Sequence, residues 1–200
     1  MSGYVERLTI RGMPPLYSLR LGNQTKMRIN VTGNAGSGKS TLSQTIAKEL
    51  DLLLIEMDCI IWQPGWQRTP SDISRRELSK LLLSDRWVLD GVSRMGRQQA
   101  DLIVFLDFPR RVCAWRCAKR NWRYLFSSRP GLPEHCPEWR IILTLTKIIW
   151  LFPDLARPAI LRDMESPTVD AIAIQDKDDL KMFVKHLSEL KIDICQKDAL

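Results

Sequence analysis

Residues Gly33-Asn34-Ala35-Gly36-Ser37-Gly38-Lys39-Ser40 fill every fixed position of G-x-x-x-x-G-K-[ST], and their flanks constrain the fold as much as the motif does. Upstream, Arg28-Ile29-Asn30-Val31-Thr32 reads as a strand. Downstream, Leu42, Ile46 and Leu50 recur every four residues and predict an amphipathic helix from Lys39 to Leu50. Strand, glycine-rich turn and helix, in that order, make a phosphate-binding loop. Glycines at 33, 36 and 38 let successive backbone N–H groups point inward, and the helix N-terminus adds partial positive charge at the same spot. Gly33 to Thr41 is therefore the expected ATP-binding segment. Lys39 is expected to reach the β- and γ-phosphates, Ser40 to ligate Mg²⁺ and Thr41 to add a hydroxyl near the α-phosphate.

The rest of the chain repeats the same alternation. Apolar runs at Leu52–Met57, Trp87–Leu89, Leu102–Leu106 and Val169–Ile174 read as strands. Between and after them, helices are predicted over Asp72–Leu83 (with Ser71 as N-cap), from Pro109 onward, from Pro137 to about Pro153, and over Asp178–Leu190. Residues 58–70 and 127–137, rich in proline, read as loops. Strands that are apolar throughout imply a parallel sheet covered by helices on both faces, an α/β fold. Residues 1–26 show no period and read as a loose extension before a single domain over 27–200.

Composition narrows the partners. With 44% apolar and 26% charged residues in 200, the chain can bury a core, which excludes a disordered or fibrous protein. A membrane span needs about eighteen apolar residues in a row. The nearest run, Ile141–Phe152, is shorter and contains Lys147. Arg7, Arg11, Pro14 and Pro15 break the apolar segment that a secretory signal requires. Five cysteines, an odd number, suit reduced thiols in a cytoplasmic protein. The net charge of +7 points to anionic partners. Phe105 to Arg162 holds eleven Lys/Arg against four acids, an excess equal to the whole net charge.

Asp90 closes an apolar strand and is the expected second Mg²⁺ residue beside Ser40; an Asp-Gly turn is the alternative, and the phosphate loop upstream favours the Mg²⁺ role. Asp58 follows the second strand, at the sheet end where an open parallel sheet binds its ligands. It is placed to meet an acceptor hydroxyl, or serves as a turn residue. Arg116 and Arg120, four apart, share one helix face, and their planar guanidinium groups suit phosphate oxygens. A solvated basic face is the alternative. Trp62 and Trp66, beside Pro64-Gly65, read as packing over the core edge rather than as an acceptor wall.

These residues resemble the nucleoside-monophosphate-kinase-like branch of P-loop proteins. Asp90-Gly91-Val92-Ser93-Arg94 is similar to its D-G-[FY]-P-R element, departing at Val92 and Ser93, and Arg116 and Arg120 are similar to its lid-base arginine pair. The strings Met57–Trp66, Val104–Arg110, Cys136–Trp139, Ile149–Pro153 and Arg157-Pro158 resemble the bacterial topology modulation (FlaR-type) or adenylate-kinase-like ATPase group. The resemblance implies the P-loop NTPase fold with strand order 2-3-1-4-5 and a basic helical lid over about 110–157. It implies catalytic roles for Arg94, Arg116 and Arg120 beside the motif lysine Lys39, while Asp58 is similar to the Asp that shikimate- and gluconate-type kinases place at that strand end. It also implies an ATP-dependent kinase that phosphorylates a nucleoside monophosphate or a small hydroxyl acceptor. Arg94 favours the first acceptor and Asp58 the second. Basic residues interleaved with Trp122 and Tyr124 leave open a nucleotide-dependent nucleic-acid-binding regulator. A bare NTPase switch is the third reading.

Overall fold

A computed structural model describes residues 26–124, 133 and 135–197. The expected extension over 1–26 (Lys26 apart) and most of the 127–137 loop lie outside the described residues.

The sheet has five parallel strands: β1 (Met27–Gly33), β2 (Leu53–Glu56), β5 (Arg86–Asp90), β6 (Leu102–Leu106) and β7 (Asp170–Ile174). Its order is β2-β5-β1-β6-β7. Counting these five strands alone, that is 2-3-1-4-5, the expected order. In register, Val31 pairs with Asp90 on one side and with Val104 on the other. The central strand thus sets the heights of its neighbours.

Side chains alternate along each strand, so the sheet feeds two cores. Ile29, Val31, Val88, Leu102, Val104, Leu106, Ile172 and Ile174 pack on one face against α1 (Lys39–Leu50), α5 (Arg110–Arg123) and α8 (Lys177–Lys197). Trp87, Leu89, Ile103, Phe105 and Ala173 pack on the other, against Leu78 of α3 (Ser71–Leu81), Phe152 of α6 (Ile142–Leu155) and Ile160 of α7 (Arg157–Met164). The second face of β1 is the exception, because Asn30 and Thr32 are polar and buried there.

Four local differences separate the structure from the sequence expectations. The 58–70 segment is not a plain loop. It holds a short helix, α2 (Met57–Ile61), and a two-stranded hairpin of β3 (Trp62–Gln63) and β4 (Gln67–Arg68) turning through Pro64–Trp66. Gly65 supplies the positive φ that this turn needs. Pro70, not Ser71, caps α3. The helix expected from Pro137 begins at Ile142, after a 3-10 turn over Glu138–Arg140, and runs through Pro153. Two short helices, α4 (Arg94–Gln99) and α7, have too few apolar repeats to be read from periodicity. Among the described residues no helix is long and apolar enough to cross a membrane.

Candidate active site

The phosphate loop leaves β1 at Gly33 and enters α1 at Lys39, with left-handed Gly38 (φ 104°) at the helix cap. No side chain caps this end, and the first turn carries no acid. A helix start with neither a side-chain cap nor an acid keeps its partial positive charge uncompensated, which fits an oligophosphate. Gly36 is required sterically: a Cβ there would overlap the Cys113 carbonyl of α5. The loop consequently lies directly on the α5 backbone. Cys113 is fully buried in this contact, and burial pushes its thiol pKa up.

Asn34 and Ser37 are buried within the loop, and neither lines the cavity in front of it. The Asn34 carbonyl accepts hydrogen bonds from Lys39 Nζ (2.9 Å) and from the Ser37 N–H (3.2 Å). The Ser37 carbonyl accepts from Arg116 (3.0 Å), whose guanidinium also sits 4.4 Å from the Phe108 ring centroid. Arg116 is thereby fixed against the loop, and Arg120 stands one turn further along α5.

A cavity of about 630 Å³ opens in front of the loop. Gly33, Ala35, Gly36, Gly38, Lys39, Ser40 and Thr41 form its floor, and Asp90 and Gly91 its edge. Arg116 and Arg120 line it from α5, Asp58 from α2, and Trp62, Trp66 and Arg68 from the hairpin. Ile141, Thr144, Leu145, Ile148 and Phe152 close it from α6 and the residue before that helix. Ser40 on the floor and Asp90 at the edge give a hydroxyl and a carboxylate to one cavity, oxygen donors of the kind Mg²⁺ takes. Asn30 sets the height of Asp90: its amide donates to Leu89 O (3.1 Å) and Gly91 O (3.3 Å), on either side of the carboxylate residue.

Arg94 does not join this group. It is exposed on α4, and it does not line the cavity. The reason is the start of α4: Ser93 Oγ accepts the Gly96 N–H (3.1 Å), and the helix turns Ser93, Gly96 and Arg97 inward. The buried arginine is Arg97, which pairs with Asp163 (2.6 Å). Arg157, at the end of the basic zone, also serves the fold, with a two-pronged pair to Asp107 (2.8 and 3.0 Å).

No family model matches the chain, and no curated protein sequence does either. Solved structures similar to it include a shikimate kinase from Acinetobacter baumannii in complex with shikimate. That pair has 16% identity over 88% of this chain and 94% of the other, with a TM-score of 0.47. A gluconokinase from Sinorhizobium meliloti 1021 has 18% identity over 88% and 99%, with a TM-score of 0.45. A shikimate kinase from Bacteroides thetaiotaomicron has 17% identity over 82% and 97%, with a TM-score of 0.49.

The hairpin itself, and Arg68 on it, are what sequence reasoning missed. Trp62 and Trp66 line the cavity, the position of the acceptor wall that the sequence reading set second to packing over the core edge. Their rings meet edge to face with centroids 5.3 Å apart. Trp66 has φ of 61°, a strained value for a bulky residue. Its conformation is held by Trp66 Nε1 donating to Pro137 O (2.9 Å) and its N–H donating to Cys136 Sγ (3.4 Å). Arg68 is cross-strand to Trp62 and so shares its face. The one signal in the sequence was Pro64-Gly65, a turn flanked by residues that could pair.

Proposed function

We propose that the chain is an ATP-dependent phosphotransferase of the P-loop kinase kind, acting on a small acceptor through a hydroxyl group. The observation that carries this reading is one cavity lined at once by the phosphate loop, three arginines and Asp58. A loop that only binds or hydrolyses a nucleotide has no need of a carboxylate and an aromatic wall across the cavity.

In this reading the α1 N-terminus and Lys39 hold the β- and γ-phosphates, and Ser40 and Asp90 are the residues that would hold Mg²⁺. Mg²⁺, when bound, neutralises phosphate charge. Arg116 and Arg120 stabilise charge on the transferring group. Asp58 orients the acceptor hydroxyl and takes its proton. The hydroxyl oxygen bonds to the γ-phosphorus, the bond to the bridging oxygen breaks, and ADP leaves. The α6 residues exclude water from the transfer. Arg94, outside the cavity lining, has no part in the assignment, which moves the weight from nucleoside monophosphates to small hydroxyl compounds. Membership of the nucleoside-monophosphate-kinase-like branch, and of its topology modulation group, belongs to the same proposal and rests on the sequence resemblance.

The test is ADP formation at fixed Mg²⁺-ATP across nucleoside monophosphates, nucleosides and small hydroxylated metabolites, with a no-acceptor control. Turnover that depends on one acceptor supports the kinase. Equal turnover with and without acceptor replaces it with an NTPase switch.

One observation favours a second reading, the nucleic-acid-binding regulator. Trp115 and Trp122 are 71% and 81% exposed on the outer face of α5, which also carries exposed Arg111, Lys119 and Arg123. Titration of a single-stranded oligonucleotide at several salt concentrations tests it; binding that weakens steeply with salt and quenches tryptophan fluorescence supports it.

A further inference from the structure

Helix α6 contains a proline, Pro153, in its last turn. Proline has no N–H, so the carbonyl four residues earlier loses its intrahelical donor. That carbonyl belongs to Ile149, which is 3% exposed, so water does not replace the lost bond. The replacement comes from the phosphate loop: Asn34 Nδ2 donates to Ile149 O at 3.0 Å in a buried bond spanning 115 positions of sequence. The Asn34 amide orientation is determined by both its ends, because Oδ1 accepts the Ala35 N–H at 2.7 Å. The Asn34 main-chain carbonyl, meanwhile, accepts from Lys39 Nζ. One loop residue thus touches the phosphate-loop lysine with its backbone and the helix that closes the cavity with its side chain.

We propose that Asn34 is a positioning residue that ties α6 to the phosphate loop, so that a nucleotide in the loop orders the acceptor wall. The proposal rests on the nucleotide-binding reading above. Ile148 and Phe152, on either side of the Ile149–Asn34 bond, line the cavity, so a shift of that bond moves the surface an acceptor meets. A phosphate entering the loop draws Lys39 away from the Asn34 carbonyl, and the change falls on the residue that holds α6. The missing N–H of Pro153 is what leaves the Ile149 carbonyl open to the loop.

The proposal is tested by hydrogen exchange of the α6 amides, with and without Mg²⁺ and a non-hydrolysable ATP analogue, alongside melting temperature. Four proteins are compared: the parent, Asn34→Ala, Pro153→Ala and the double variant. In the parent the analogue slows exchange in α6 by about fivefold or more, the low end of ordinary site-to-site coupling. Asn34→Ala lowers the melting temperature and abolishes that slowing. Pro153→Ala returns an intrahelical donor to Ile149, so the double variant recovers the melting temperature but not the slowing. A purely structural Asn34 would be rescued in both readouts, and that outcome overturns the proposal. So does a parent in which the analogue protects the phosphate loop and leaves α6 unchanged. A parent in which the analogue protects neither overturns the nucleotide reading itself. Should Asn34→Ala fail to fold, the double variant against Pro153→Ala alone gives the same comparison.

Discussion

Arg116 donates to the Ser37 carbonyl at 3.0 Å, so a cation of the α5 helix that lines the cavity is fastened to the phosphate loop itself. Pre-placed charge of this kind needs no reorganisation during transfer. The Phe108 ring beneath the guanidinium fixes its plane. Replacing Arg116 by Lys keeps the charge and loses the fork and the stacking. Arg116→Lys is expected to lower kcat by about a hundredfold or more, with a melting temperature within a few degrees of the parent. A variant with parental kcat would show that Arg116 only braces the loop.

Gly36 and Gly65 both have positive φ, 79° and 76°, but only at Gly36 would a Cβ meet a neighbour, the Cys113 carbonyl. Alanine at Gly65 carries backbone strain alone, about 1 kcal/mol. Alanine at Gly36 adds the clash with α5 and is expected to cost about 2–4 kcal/mol in all. It should also abolish binding of a fluorescent ATP analogue. Urea denaturation of the two variants measures the difference; equal costs would mean that α5 yields to the loop.

Asp58 and Arg68 line the same cavity from different elements and should fail differently. Asp58→Asn removes the proposed proton acceptor and is expected to lower kcat by about 10²–10⁴-fold with little change in acceptor KM. Arg68→Ala is expected to raise the acceptor KM about tenfold or more, the effect of losing one charge-assisted contact, and to leave ATP affinity unchanged. Steady-state kinetics on the acceptor found in the panel decides; a fall in kcat for both would place them in one catalytic unit.

Arg157 and Asp107 make the two-pronged ion pair that joins α7 to the end of β6. The Asp107 hydrogen bonds raise the Arg157 pKa above its ordinary value. A raised pKa on a cation means a contribution that is complete below the ordinary arginine value and is lost only as pH rises past it. Across neutral pH the arginine side of the pair is therefore constant. Arg157 is partly exposed, so solvent screens the pair, and Arg157→Met should cost only about 1–2 kcal/mol. The loss should shrink in high salt. Melting curves at low and high salt check this; a cost of several kcal/mol independent of salt would point to packing instead.

Local pattern made much of this protein legible. The G-x-x-x-x-G-K-[ST] string, the four-residue apolar spacing of Leu42, Ile46 and Leu50, and the all-apolar strand Leu102–Leu106 each state a backbone conformation within a short window. Helix Lys39–Leu50 and strand Leu102–Leu106 have the expected bounds. From such windows the parallel sheet and its phosphate loop follow, because periodicity and turn chemistry act between near neighbours.

Tertiary structure alone decided which side chains share the cavity. Arg94 and Arg97 are three residues apart and chemically alike. The Ser93 cap and the packing of α4 put the first in solvent and the second on Asp163. Trp62 and Arg68 share a face through hairpin register, a relation between strands rather than along one. Asn34 meets Ile149, the residue one turn before Pro153, because the fold lays that helix beside the loop. Contacts between distant segments depend on how whole elements pack, and no local window of sequence contains that information.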